Sequence, residues 1–210
     1  MAPSNRGVIL QKFADVLESH ADELATIECE DNGKPYAEAM WDVMYAASHF
    51  RYYGSMAHNM TGWSMMRDND PLGYSNSYAY TRMEPVGVCG IITPWNFPLL
   101  MTTWKLAPML AAGCTGVHKI PENTPLSSLR LVELLHGVEG FVPGAVQVVP
   151  GFGNEAGEAV TGHPDISKIA FTGSTAIGKH IMRRAADDLK RVTLELGGKG
   201  PIIIFADANL

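Results

Sequence analysis

Apolar residues recur every three or four positions through the start of the chain. Val8, Leu10, Phe13, Val16, Leu17, Leu24 and Ile27 predict one helix, with Ser4 as its N-cap. Asp31-Asn32-Gly33-Lys34-Pro35 breaks that pattern, and a second helix rich in Ala, Met and aromatics is predicted over 36–58. The stretch 61–73 carries Gly, Asn, Asp and Pro and reads as a surface connection. Residues 74–82 then alternate polar and aromatic side chains, as a half-exposed strand does.

From Val86 the pattern changes. Short apolar, β-branched runs at 86–92, 115–120, 145–149, 168–171, 192–196 and 201–205 alternate with helical patterns at 99–112, 125–136, 154–161 and 175–186. Strands that are apolar on both faces and separated by helices predict an α/β fold: a Rossmann-like parallel sheet with helices on both faces. Ligands of such sheets bind beyond the carboxyl ends of the strands. The residues following each run are therefore the candidates for chemistry.

Five of these strand ends carry polar or glycine-rich residues. Thr93-Pro94-Trp95-Asn96-Phe97-Pro98 is a rigid turn whose Asn96 amide could meet a developing oxyanion, or simply a structural turn around a Trp. Lys119 and Glu122 could grip vicinal hydroxyls, the ammonium donating and the carboxylate accepting. They could equally form a surface ion pair ahead of a helix with Thr124 as N-cap and Pro125 at its first position. Pro150-Gly151-Phe152-Gly153-Asn154-Glu155-Ala156-Gly157 misses a GxGxxG pattern by one residue, and reads as a phosphate loop or a bare turn. Phe171-Thr172-Gly173-Ser174 enters a helix with Gly178 one turn in. Phosphate binding is favoured over capping there, because a cap does not need both glycines. Glu195, between apolar strand residues and Gly197-Gly198, is expected to be partly buried, with a pKa raised towards that of a general base.

Composition narrows the partners. The 210 residues are 46% hydrophobic and 18% charged with a formal net charge of −6, which argues against nucleic acid or an anionic membrane surface. Three cysteines without paired spacing, Cys29, Cys89 and Cys114, suit a reducing compartment, and no His/Cys cluster suggests a metal. The start shows neither a signal core nor a transit pattern, and no apolar run is long enough to span a bilayer, so a cytoplasmic protein is expected.

Taken together, Glu84-Pro85-Val86-Gly87-Val88, Pro94-Trp95-Asn96-Phe97-Pro98, Lys119 with Glu122 and Thr124-Pro125, Val149-Pro150-Gly151, Phe171-Thr172-Gly173-Ser174-Thr175 and Leu194-Glu195-Leu196-Gly197-Gly198-Lys199 resemble the aldehyde dehydrogenase superfamily in order and spacing. The resemblance implies NAD-dependent oxidation of an aldehyde to a carboxylic acid. It assigns Asn96 to the oxyanion and Glu195 to the general base. Lys119 and Glu122 would hold the adenosine ribose, Gly151 and Ile177 would lie around the adenine, and Ser174 at the pyrophosphate. Phe171, Thr172 and Gly173 would run towards the nicotinamide, which Leu196 and Gly197 would meet, and Thr93 and Trp95 would complete the cofactor-binding set. No metal is implied. A carboxylate at position 122 accepts from a ribose 2′-hydroxyl and repels a 2′-phosphate, favouring NAD over NADP.

The same resemblance divides the chain into a helical part of the cofactor-binding domain at 1–72, a fragment of an oligomerisation β element at 73–84 and the NAD-binding α/β domain at 85–210. The catalytic domain and its nucleophilic cysteine are then absent, the start is clipped, and the full-length form is a homo-oligomer. Gly116 and His118 depart from the family's β-branched run. Gly116 is expected to weaken its strand, His118 to set a polar ring beside Lys119, and Pro121 to alter how Glu122 is presented. Two further readings stand beside this one: a short non-catalytic NAD-binding or structural product, and another dehydrogenase using the Gly151 loop as a Rossmann fingerprint.

Overall fold

The computed structural model describes residues 1–67 and 77–209. Three helices come first: α1 (Pro3–Ser19), α2 (Ala21–Asn32) and α3 (Tyr36–Met56). The single helix expected up to Ile27 is thus two. The Ser19 hydroxyl donates to the Val16 carbonyl at 2.9 Å and His20 Nδ1 lies 2.9 Å from the same oxygen, closing α1. A fresh helix then begins with Asp22 and Glu23 in its first turn, favourable at the positive end of the helix dipole. Ser4 is not the N-cap. Ala2 holds that position and Pro3 is the first helical residue, where its missing N–H costs nothing. α2 ends on Gly33 at φ 83°, a left-handed conformation that glycine adopts freely.

A two-stranded antiparallel ribbon follows, β1 (Ser64–Arg67) paired with β2 (Ser77–Tyr80). β1 lies where a connection was expected. The element expected at 73–84 falls partly outside the described residues.

The main sheet is parallel, built from β3 (Val88–Ile92), β4 (Thr115–Ile120), β5 (Val146–Pro150), β6 (Ile166–Gly173) and β7 (Arg191–Leu196) in the order β5-β4-β3-β6-β7. Helices α4 (Pro98–Ala111), α5 (Leu126–His136), α6 (Glu158–Gly162) and α7 (Thr175–Ala186) connect the strands, with one π-helical turn at Gly153–Gly157 leading into α6. The α/β architecture expected from strand–helix alternation is the one found. Two buried clusters cover the two faces of the sheet. Phe13, Leu17, Phe50, Leu99, Leu106 and Leu131 belong to the larger, which packs the early helices, α4 and α5 on one face. Val160, Ile169, Phe171 and Ile181 pack α6 and α7 on the other.

With Gly116 in it, β4 pairs along its length with β3 and β5. A Cβ there would meet Met109 Sδ at 2.5 Å and the Cys89 carbonyl oxygen at 3.0 Å, so glycine is what lets α4 lie this close to the sheet. The run 201–205 is not a strand: Ile202, Ile203, Ile204 and Phe205 are exposed and carry no ladder pairing. β-branched propensity needs a neighbouring strand to act on, and among the described residues β7 pairs with β6 alone.

Candidate functional site

The chain order reverses at β3, with β4 on one side and β6 on the other. A cleft of about 700 Å³ opens at this switch point, beyond the carboxyl ends of β3, β4 and β6. Eight of the residues singled out in the sequence border it: Thr93, Trp95, Lys119, Glu122, Phe171, Gly173, Ser174 and Ile177. Asn96, Gly151, Glu195 and Leu196 do not form its wall.

Lys119 sits at the end of β4 with 5% of its surface exposed, and its Nζ donates to Glu122 Oε2 at 2.8 Å. That hydrogen bond holds the Glu122 carboxyl below its ordinary range against a smaller opposing effect of burial. Pro121 does not turn Glu122 away, since both acidic and basic groups face the cleft. The pair therefore offers an acceptor and a donor side by side, as a ribose diol requires.

His118 is fully buried, within reach of the Lys119 charge. Its Nε2 lies 2.9 Å from the Thr93 hydroxyl, and burial, assisted by the Lys119 charge, pushes its pKa down to about 3. The ring is a neutral strut between β4 and the turn after β3. Thr93 spends its hydroxyl on this contact, and its N–H donates to the Lys119 carbonyl at 3.3 Å.

Ser174 is the N-cap of α7, its Oγ accepting from the Ile177 N–H at 3.4 Å. Capping is therefore realised, through a bond long enough to be weak, and Ser174 and the half-exposed Ile177 at the start of the twelve-residue α7 both border the cleft. Gly178 is not a ligand-approach glycine. A Cβ on it would meet Leu196 Cδ2 at 2.6 Å, so it seats α7 against β7. Thr172 also borders the cleft, with its hydroxyl turned into the protein and without a hydrogen-bond partner.

Gly151 lies at φ 149° at the end of β5. Its loop reaches the cleft through Gly153, Asn154 and Gly157 rather than through Gly151 itself, and the π turn there presents no long helix end. Thr124 is not an N-cap either. Its hydroxyl donates to the Trp95 carbonyl at 3.3 Å, while the first amide of α5, on Leu126, donates to Asp31 Oδ2 at 2.7 Å.

Glu195 is exposed rather than partly buried. It stands opposite Thr172 at the end of β7, with only β6 between its strand and the β3 end that leads into Asn96. Lys105 of α4 feels its charge: burial lowers the Lys105 pKa, Glu195 raises it and Lys168 lowers it further. Asn96 is exposed in the turn just ahead of α4, whose N-terminal amides add positive potential there.

Sequence reading missed Asn123 and Asn154 on the cleft wall, and the pair formed by His180 Nε2 and Glu158 Oε1 that flanks it. Asn154 lay in the near-miss glycine loop, which was its only signal. Among the described residues no helix is long and apolar enough to cross a membrane.

The family model for the aldehyde dehydrogenase family matches residues 1–210. An aldehyde dehydrogenase of Alternaria alternata is 50% identical over 210 residues, covering 99% of this chain and 41% of its own length. Retinaldehyde dehydrogenase 3 of Mus musculus is 50% identical over 209 residues, covering 98% and 39%. The NAD+ complex of an aldehyde dehydrogenase from Bacillus cereus superposes with a TM-score of 0.92 at 48% identity, covering 100% of this chain and 41% of that one. The chain thus spans about two fifths of the length of the relatives it matches. With the family model matching its whole length and relatives about half identical along it, the chain belongs to the aldehyde dehydrogenase family.

Proposed function

We propose that this chain is the NAD-binding part of an enzyme that oxidises an aldehyde to a carboxylic acid. One observation carries the reading: the cleft joins a ribose-competent pair, Lys119 and Glu122, to a helix N-terminus capped by Ser174. A diol grip at one strand end and an anion site at another is the pattern a dinucleotide needs. Glu122 would accept from the 2′-hydroxyl and repel a 2′-phosphate, favouring NAD over NADP.

In this reading Ser174 and the α7 amides hold the pyrophosphate, Ile177 and the Gly151 loop flank the adenine, and Thr93, Trp95, Phe171 and Gly173 line the path to the nicotinamide, which Leu196 meets. NAD supplies the hydride acceptor when bound. Asn96 donates its amide to the oxyanion formed when the family's cysteine thiolate attacks the aldehyde. Glu195, exposed at the end of β7, takes a proton from the water that hydrolyses the thioester. No metal takes part. The three free cysteines and net charge of −6 suit a cytoplasmic enzyme of small molecules, and the 73–84 segment is proposed to belong to an oligomerisation element of the full-length form.

A second reading has its own support. Cys89 and Cys114 are buried, and burial together with Cys114 pushes the Cys89 thiol up to about 12, so neither serves as the nucleophile. In this reading residues 1–210 alone bind NAD without turning over. Aldehyde-dependent reduction of NAD by the complete enzyme, lost on Glu195→Gln, tests the first reading. Unchanged turnover in that variant would contradict it.

A further inference from the structure

The corner between α2 and α3 does more than end a helix. Lys34 Nζ lies 2.9 Å from Glu28 Oε1 and 2.6 Å from Asp42 Oδ2, and all three side chains are 8% exposed or less. The same ammonium stands 4.6 Å from the centroid of the Phe97 ring. Two residues away, Asn32 Nδ2 donates to the Trp95 carbonyl at 2.7 Å. Trp95 and Phe97 flank Asn96 on either side. The corner therefore grips both neighbours of the one residue whose amide must be aimed.

A turn needs none of this. Gly33 alone reverses the chain, and a buried ion triad stabilises a fold less than apolar side chains of the same volume would. Glu28 even keeps one carboxylate oxygen buried without a partner. What the triad supplies is a fixed cation under Phe97, and what Asn32 supplies is a fixed carbonyl at Trp95.

We propose that Asn32 and Lys34 are positioning residues that hold the 95–97 turn so that Asn96 presents its amide to the oxyanion. This rests on the role of Asn96 proposed above, but the geometry it asserts can be read without turnover. Small misplacements of a positioned group cost large factors in rate.

The first arm uses the chain with its Asn side-chain amides labelled for NMR, the Asn96 pair being identified by its loss in Asn96→Asp. Asn32→Ala removes a half-exposed side chain and is expected to shift or broaden the Asn96 pair while the Trp41 and Trp104 indole signals stay in place. Lys34→Gln, which strands two buried carboxylates, is compared with Lys34→Arg, expected to restore the wild-type pair. Sharp, unmoved Asn96 signals in Asn32→Ala overturn the proposal. The second arm uses the complete enzyme. Asn32→Ala is expected to lower kcat about tenfold with KM for NAD unchanged, and to cost nothing further on an Asn96→Ala background. Additive losses overturn it. A complete enzyme that neither binds NAD nor turns over counts against the proposed function, and the amide signals then decide the bracing.

Discussion

Lys119 and Glu122 meet at 2.8 Å on the floor of the cleft, the lysine almost wholly buried and the glutamate open to solvent. A three-residue step from the end of β4 brings a donor and an acceptor onto one edge where a diol can bridge them. Glu122→Gln keeps the shape and removes the charge. It is expected to weaken NAD binding about tenfold, the worth of one charge-assisted hydrogen bond. It should also narrow the preference for NAD over NADP, because the repulsion of a 2′-phosphate goes with the charge. Fluorescence titration of both cofactors checks this, and an unchanged ratio would count against Glu122 as the discriminating group.

His118 gives the fold a defined acid sensitivity. Its pKa falls from 6.5 to about 3 on folding, so between those values the unfolded chain binds the extra proton. The stability it contributes is whole above about pH 6.5 and is lost as pH falls towards 3. The steepest loss attributable to one such group is about 1.4 kcal/mol per pH unit. His118→Asn keeps a polar partner for Thr93 without the titration. Urea unfolding at stepped pH is expected to show a shallower acid slope in the variant, and parallel slopes would refute the assignment.

Gly116 is tied to α4. Its substitution by Ala drives a methyl against Met109 Sδ and the Cys89 carbonyl, and only the first can move aside. Destabilisation of about 1–3 kcal/mol is expected, as for other overpacked cores. Pairing the change with Met109→Ala should recover part of it, which thermal unfolding of the two variants would show.

Much of this fold was legible because its strands carry two-sided apolar runs that only a covered parallel sheet can use. The 86–92 and 115–120 runs became β3 and β4 within a residue or two, and the polar residues after them fell on one cleft. What failed had distant causes. Ile202–Phe205 has strand propensity, yet propensity acts only through a neighbour. Glu195 looked buried from its apolar flanks, but burial depends on what covers β7. Gly116 and Gly178 read as a weak strand and a ligand contact, although each answers to a side chain on another element, Met109 or Leu196. The Asp31–Lys34 corner read as punctuation because its partners, Trp95, Phe97 and Leu126, lie more than sixty residues away.

The Ser174 corner of this cleft is proposed to hold the cofactor pyrophosphate. Ser174→Asp tests it most directly, because Asp caps a helix as well as Ser does while placing a carboxylate where the phosphates would sit. Calorimetric titration with NAD is expected to show a single binding event in the wild-type chain. In Ser174→Asp, with helix content and unfolding midpoint unchanged, it should be weakened at least about a hundredfold, the scale of a close like-charge clash. Equal NAD affinity in the two proteins, or no binding in either, would contradict the account.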